Sequence, residues 1–500
     1  MSLFLIALTT LDAATVPDAD VVELTSGELT LLCVVLGTFS LLGIASALQA
    51  LMTTRTSQGT IAWVISLLTW APIAVPAYWI FGRDKFLGYI NSRRSSCDTF
   101  SAVSQSATPQ MTPYSVELTD EQSNARVLEQ LASLPFTSGN ETKLLIDGEE
   151  TFAAIFDAID EAKEYILVEF FIVNDDDLGR ELKDRLIQQA KKGVEVYFLY
   201  DNVGSAKMTR RYLQDLRDAG ANVTGMNTTR GWRNRFQLNF RNHRKIVVVD
   251  GKTSFVGGHN VGDEYVGRHR RLTPWRDTHL SIVGPAVIAT QLAFLEDWYW
   301  ATQVIPDLPW KPHPSKTADQ TVFVLPSGPA DEYETCGLFF THAINSAKHR
   351  IWIASPYFVP DEAVITALQL AALRGVDVRI MIPGLADKPF IKWAAMSYVT
   401  EVRKAGIKIY EFGDGFLHQK VMLIDDVAST VGTANLDNRS FRLNFEISIL
   451  TFDAGFATEL ETMLNHDFER STLIDDEMMA NRSYLSRLGS RVARLFSPVL

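Results

Sequence analysis

Asn242-His-Arg-Lys-Ile-Val-Val-Val-Asp250 and Leu417-His-Gln-Lys-Val-Met-Leu-Ile-Asp425 share one pattern, repeated at an offset of 175 residues. Each copy has a histidine, a lysine two positions on and an aspartate seven past the histidine: His243, Lys245 and Asp250, then His418, Lys420 and Asp425. Each is followed by a Gly-x-x-Asn turn whose asparagine, Asn260 or Asn435, stands 17 residues past the histidine. In a strand, residues two apart share a face, so each lysine points the same way as its histidine. Such a pair is poor core material, because burying an unpaired ammonium is costly. A solvated strand edge would account for one copy, but not for two that keep their spacing while the residues between them differ.

The repetition extends beyond this phrase. Ala158-Ile-Asp-Glu-Ala-Lys163 returns as Ala343-Ile-Asn-Ser-Ala-Lys348 at an offset of 185, and Lys192-Gly-Val-Glu-Val196 as Arg374-Gly-Val-Asp-Val378 at 182. Three matches in one order at nearly constant offset imply a duplicated lobe of roughly 180 residues. Apolar runs at Tyr165–Val173 and Val194–Tyr200 read as strands around a helix over Glu181–Lys192, with little polar alternation, as in a sheet covered on both faces. The expectation is an α/β fold of two pseudo-symmetric lobes, each a mixed sheet flanked by helices, over 126–310 and 331–500. A proline-rich segment, 311–330, forms the seam.

The 500 residues are 47% hydrophobic and 21% charged, which excludes a disordered chain, a collagen-like repeat or a coiled-coil rod. The net charge of −12 is the wrong sign for a protein that coats nucleic acid. Three cysteines, Cys33, Cys97 and Cys336, are too few and too scattered for a disulfide framework or a zinc cluster. Leu29–Leu51 and Ile61–Gly82 are runs of 23 and 22 residues without a charge, each long enough as a helix to cross a hydrocarbon core of about 30 Å. Joined by the short link Met52–Thr60, they predict a transmembrane hairpin within 1–94, with Pro72 and Pro76 tolerated as they are in membranes. Residues 1–28 have no assigned role; their apolar run Leu3–Leu8 lacks the basic start of a cleaved signal peptide. The Ser/Thr/Gln-rich stretch over 95–125 reads as a linker. Arg83, Lys85, Arg93 and Arg94 follow the second run, against Arg55 alone in the loop, which places the lobes in the cytoplasm. A carboxy-terminal helix carries Arg487, Arg491 and Arg494 on one face and Leu485, Leu488, Val492, Leu495 and Phe496 on another. It fits either an anionic membrane surface or docking on the second lobe.

Two lysines and two amides suit a tetrahedral oxyanion such as phosphate, and two facing histidines suit an in-line displacement. One would attack phosphorus while the other protonates the leaving oxygen and then deprotonates the acceptor. From Lys207 to Lys245 ten Lys or Arg accompany only two acids, Asp215 and Asp218, which makes a basic stretch beside the first motif.

With its flanking blocks, the duplicated motif resembles the bacterial cardiolipin synthases of the phospholipase D superfamily. Asn242–Tyr265 looks like their first motif and Trp275-Arg-Asp-Thr-His279 like the block after it. Ser355-Pro-Tyr-Phe-Val-Pro-Asp361, Gly415–Lys420 and Val431–Glu446 resemble the second half. The resemblance implies phosphatidyl transfer between two phosphatidylglycerol molecules, giving cardiolipin and glycerol through a phosphohistidine. His243 is then the nucleophile and His418 the acid and base, with the reverse left open. It implies that Lys245, Lys420, Asn260 and Asn435 bind phosphate without a metal or other cofactor, and that Asp250 and Asp425 support the local fold. It also implies a carboxylate orienting each histidine, Glu446 in the second lobe and Asp277 in the first. His259, at a varying position, reads as a bystander, and Gln419 should point away from the pocket with little effect. The implied setting is the bacterial inner membrane, with a multi-pass anchor and anionic lipid partners, no nucleic acid, and self-association left open. Another phosphatidyltransferase or a hydrolase is the nearest alternative. A membrane-tethered nuclease is disfavoured by the hairpin and the acidic charge, and an inactive scaffold by the completeness of both motifs.

Overall fold

The computed structural model describes residues 25–53, 56–82, 106–117, 125–226, 239–269 and 271–500. The chain divides into two compact units, Met1–Gly82 and Arg83–Leu500.

Among the described residues of the first unit one helix, Ser26–Thr53, is long and apolar enough to cross a membrane. A capping box starts it: Thr25 N–H donates to the Glu28 carboxylate at 2.7 Å and Glu28 N–H to Thr25 Oγ1 at 3.3 Å. The second expected span is not one helix. It is split at Trp70 (φ −128°, ψ 46°) into Ser57–Thr69 and Ala71–Phe81. The cause is Pro72, which has no N–H to give and whose ring excludes the carbonyl one turn back, so the helix stops and restarts with proline in its first turn. At 1.5 Å per residue neither piece alone covers about 30 Å. The basic residues that set the expected orientation, Arg55, Arg83, Lys85, Arg93 and Arg94, lie outside the described residues.

The second unit is built on a mixed sheet of 16 strands, fifteen in one path and the two-residue strand Arg241–Asn242 paired off that path. First-lobe strands are β1 (Thr137–Ile146), β2 (Tyr165–Phe170), β3 (Glu195–Asp201), β4 (Asn222–Met226), β5 (Ile246–Val249), β6 (Thr253–Gly257) and β7 (Thr278–Val283). Second-lobe strands are β8 (Gln320–Ser327), β9 (Arg350–Ala354), β10 (Asp377–Pro383), β11 (Lys408–Phe412), β12 (Val421–Ile424), β13 (Ala428–Gly432), β14 (Asn444–Phe452) and β15 (Ser471–Leu473). Their order is β15-β11-β10-β9-β12-β13-β14-β8-β1-β7-β6-β5-β2-β3-β4. Read outward from the β8–β1 pair, the two halves follow the same sequence of strands, with β15 an addition at one edge. The two lobes therefore share one sheet, joined antiparallel by Thr137 opposite Val322 and Asn140 opposite Gln320. The stretch read as a seam ends in a central strand, β8, and the stretch read as a linker holds a helical turn at 106–111 with Ala107 and Met111 buried.

The outer strands β2-β3-β4 and β9-β10-β11 are parallel and carry crossover helices, Asp177–Lys191 and Glu362–Leu373 among them. Both helices start on an aspartate cap: Asp176 accepts Gly179 N–H and Asp361 accepts Val364 N–H, each at 3.0 Å. Ala286–Thr302 is buried along most of its length, as its lack of a polar face requires, and Trp298 meets Tyr197 edge-on at 5.3 Å. β2 ends at Phe170, short of the expected Val173, because Ile172 and Val173 turn their N–H groups to the side chains of Asn260 and Ser205 at 3.1 and 3.0 Å.

Candidate active site

Two parallel ladders of two residues each fasten the lobes across the site. Arg241–Asn242 pairs with Asn444–Phe445, and Phe416–Leu417 with Trp275–Arg276. Each sets a motif histidine of one lobe against the other lobe. His243 N–H donates to Phe445 O at 2.9 Å, and His418 N–H to Arg276 O at 2.7 Å. The residue after each acceptor is a carboxylate. His243 Nδ1 lies 2.9 Å from Glu446 Oε2, and His418 Nδ1 lies 2.6 Å from Asp277 Oδ2. The orienting carboxylates are thus crossed, each engaging the histidine of the opposite lobe. Sheet register makes them equivalent: Gly257 pairs with His279 and Gly432 with Ser448, so Asp277 and Glu446 each stand two residues before the partner. Their different spacing from Asn260 and Asn435 reflects a longer connection in the first lobe.

With Nδ1 committed to a carboxylate, each imidazole has Nε2 available to a reacting group. Thr433 Oγ1, Ser440 Oγ and Asn444 Nδ2 also donate to Glu446, at 2.6, 2.8 and 3.1 Å. Asp277 accepts Thr278 N–H at 2.9 Å. Lys245 Nζ donates to the carbonyl of His243 at 2.6 Å, and Lys420 Nζ to that of His418, so each ammonium is held beside its own histidine. Phe171 packs edge-on to His243 at 5.1 Å and Trp275 lies 5.0 Å from His418, so aromatic rings wall both imidazoles.

Burial governs the electrostatics. It pushes His243 down to about 4 against the pull of Glu446, and His418 to about 3 with the Lys420 charge adding to it. It also lowers Lys245 to about 7 and Lys420 to about 8. Burial alone would raise the carboxylates, but Lys420 and His418 hold Asp277 below the usual range and His243 does the same for Glu446. Neutral imidazoles therefore stand beside ionised carboxylates, with lysines that titrate near neutrality.

The other expected residues fall into two groups. Asp250 accepts the N–H groups of Lys163, Glu164 and Tyr165 at 2.8–3.2 Å, and Asp425 those of Lys348, His349 and Arg350 at 2.7–3.2 Å. Their carboxylates tie β5 and β12 to the starts of β2 and β9. Asn260 accepts Ile172 N–H and donates to Tyr265 Oη at 3.2 Å, whereas the buried Oδ1 of Asn435 meets no donor among the described residues. His259 is buried against His279, rings 5.6 Å apart, and neither side chain makes a hydrogen bond among the described residues.

The residue between histidine and lysine carries a role its position did not disclose. Arg244 is buried and donates to Asp297 at 2.9 Å, to Ser327 O at 3.3 Å and to Glu446 O at 3.0 Å, clamping both lobes. Its counterpart Gln419 points away from the pocket to Asp467 at 2.7 Å, which also receives Arg276. Of the basic stretch, 227–238 lies outside the described residues.

A family model described as "Cardiolipin synthase, PLD-like domain" matches residues 155–271 and 340–468, once in each lobe. Cardiolipin synthase A of Pseudomonas putida is 49% identical over 472 residues, covering 93% of this chain and 98% of that protein. Cardiolipin synthase A of Pseudomonas fluorescens is 48% identical over 467 residues, 92% of this chain and 96% of that protein. Among solved structures, phosphatidylserine synthase of Haemophilus influenzae superposes with a TM-score of 0.57 at 14% identity, over 76% of this chain and all of that one, which shows a common fold. Near-full-length identity to these relatives, with both domain matches falling on the two motif-bearing lobes, establishes that this chain belongs to the cardiolipin synthase family.

Proposed function

We propose that the protein is a phosphatidyltransferase that makes cardiolipin from two phosphatidylglycerol molecules and releases glycerol. The observation that carries this reading is the convergence of two His-Lys motifs, with crossed carboxylates, on one buried site in a chain of this family. In the first step His243 Nε2 attacks phosphorus, the bond to the glycerol headgroup breaks, and His418 gives that oxygen a proton. In the second, a hydroxyl of another phosphatidylglycerol attacks, His418 takes its proton, and the phosphorus–nitrogen bond breaks. Asp277 and the anionic diester favour the imidazolium at His418 that burial disfavours. Lys245 and Lys420 balance charge on the phosphoryl oxygens, with the Nδ2 amides of Asn260 and Asn435 as the further donors.

Membrane attachment fits the amino-terminal unit. Gly43, Ala47 and Ala50 of Ser26–Thr53 form a small-residue face, buried against Leu67, Ala71 and Ala74. A Cβ on Gly43 would sit 2.4 Å from Leu67 O. That packing supports Ser57–Phe81 as a kinked second crossing, and the basic residues after it support a cytoplasmic catalytic unit in a bacterial inner membrane. A reporter fused after Leu500 tests the sidedness, and activity only in the periplasm overturns it.

Purified protein given headgroup-labelled phosphatidylglycerol should yield one labelled glycerol per cardiolipin. Phosphatidic acid as the sole lipid product would make it a hydrolase and overturn the reading.

A further inference from the structure

We propose that the outward face of the carboxy-terminal helix, Tyr484–Arg494, is a docking surface for an anionic phospholipid bilayer that seats the rim of the active site on the membrane. The helix is inverted relative to an ordinary amphipathic surface helix. Leu485, Leu488, Val492 and Leu495, one stripe at helical spacing, are 76, 45, 46 and 77% exposed. Its inward face is small: Ser490 and Ala493 are buried, and Gly489 abuts the ring of Trp393. The lobe therefore does not take the apolar stripe. Phe496 extends the patch and stacks edge-on at 5.5 Å with the part-exposed Phe390, and Trp393 is exposed beside them. A contiguous patch of leucine, valine and aromatic residues costs solubility unless something covers it.

The occupant is argued from charge and position. Arg487 and Arg491 are exposed beside the stripe, in a chain whose net charge is −12, which suits an anionic lipid surface. Arg494 is not part of this set, since it pairs with Glu401 at 2.7 Å and lies over Tyr398. After the helix the chain runs to Leu500, whose carbonyl accepts Arg439 N–H at 3.2 Å. Arg439 belongs to the short helix Asn438–Arg442, whose Ser440 holds Glu446. The patch thus adjoins the loop that builds the site. A surface that rests on lipid at this place would let a headgroup enter without the acyl chains leaving the bilayer; that purpose rests on the phosphatidyl-transfer reading.

The test uses the full chain in phosphatidylglycerol vesicles, with Cys33, Cys97 and Cys336 replaced by alanine and a spin label on Leu488→Cys. The label should be more accessible to oxygen than to a water-soluble nickel chelate, a readout that needs no turnover. In mixed micelles, Leu485→Gln with Leu488→Gln and Leu495→Gln should raise the surface KM for phosphatidylglycerol at least about fivefold. Turnover of a short-chain, monomeric phosphatidylglycerol should be unchanged. A label open to nickel overturns the proposal, as does one shielded from both reagents, which would mark a contact with a second copy. An unchanged surface KM overturns it too. A label in lipid on a protein that transfers no phosphatidyl group would leave this inference standing and sink the proposed activity.

Discussion

Glu446 and His243 are 203 positions apart in the chain and belong to different lobes, yet their side chains meet at 2.9 Å. Asp277 and His418 repeat the arrangement in the opposite sense at 2.6 Å. Neither lobe therefore contains a complete histidine–carboxylate pair, so duplication produced one site instead of two. The β8–β1 pair and the two short ladders must hold the lobes in register to a few tenths of an ångström for either pair to form.

This crossing makes a prediction that separates it from pairing within a lobe. Glu446→Gln should slow attack by His243 and so formation of the phosphohistidine, and Asp277→Asn should slow both steps, because His418 protonates the leaving glycerol oxygen in the first and deprotonates the acceptor in the second. Each should cost about 10²- to 10⁴-fold in kcat, the range for general acid–base and orienting groups, with KM nearly unchanged. Acid-quenched, labelled intermediate should map to His243 and be scarce in Glu446→Gln. Label recovered on His418 would reverse the roles of the two histidines.

The lysines set the pH dependence. Folded values of about 7 for Lys245 and about 8 for Lys420 lie below the ordinary 10.5, so the unfolded chain binds more protons across roughly pH 7 to 10.5. Stability of the unliganded protein should therefore rise with pH through that window, and the slope should flatten in Lys245→Met with Lys420→Met. For catalysis the sign is reversed. As pH rises through 7 to 8 the empty site loses cationic charge, so kcat/KM should fall while kcat, reporting a site already holding an anion, holds to higher pH. Denaturation midpoints and initial rates over pH 6 to 10 check both statements.

The motifs were legible because His243 and Lys245 repeat the spacing of His418 and Lys420, although the expected strand does not hold them: each pair lies in the link between a two-residue ladder and the next strand, β5 or β12. The crossing was not, because a ladder of two residues such as Phe416–Leu417 has no pattern that names its partner. Pro72 was visible in the sequence, but the hydropathy that marked Ile61–Gly82 as a span does not register a helix break at Trp70. The carboxy-terminal helix shows the same limit from another side. Periodicity assigned Leu485 and Arg487 to different faces correctly, while which face meets the lobe depends on the small residues Gly489 and Ala493.

Asp250 and Asp425 should behave as structural residues. Each accepts three backbone N–H groups and sits in the left-handed region, at φ 52° and 51°. Asparagine tolerates that conformation but weakens the bonds, so Asp250→Asn should lose about 1 to 3 kcal/mol of stability. Asp250→Ala should lose more, since it orphans all three donors and adds backbone strain. Thermal unfolding should rank wild type above Asn above Ala at both positions. The kcat of the remaining folded enzyme should stay within about tenfold of wild type, well short of the loss expected for a general acid or base.

Gly258 gives the sharpest check on the geometry of the Asp277–His418 pair. A Cβ built there would lie 1.9 Å from Asp277 Oδ1, well inside contact distance. The adjoining backbone is held by Gly258 N–H donating to Thr278 O at 2.9 Å, so the carboxylate must give way before the chain does. Gly258→Ala should therefore push Asp277 off His418 Nδ1 and lower kcat by about 10²-fold or more, approaching the loss in Asp277→Asn. Combined with Asp277→Asn it should add little, because the carboxylate it displaces is already gone. Gly193→Ala is a useful contrast. Nothing lies within 4 Å of its Cβ, but its φ of +94° disfavours any side chain, so it should lower stability and leave kcat alone. Normal turnover in Gly258→Ala, or full additivity in the double variant, would show that Asp277 is not the group that positions His418.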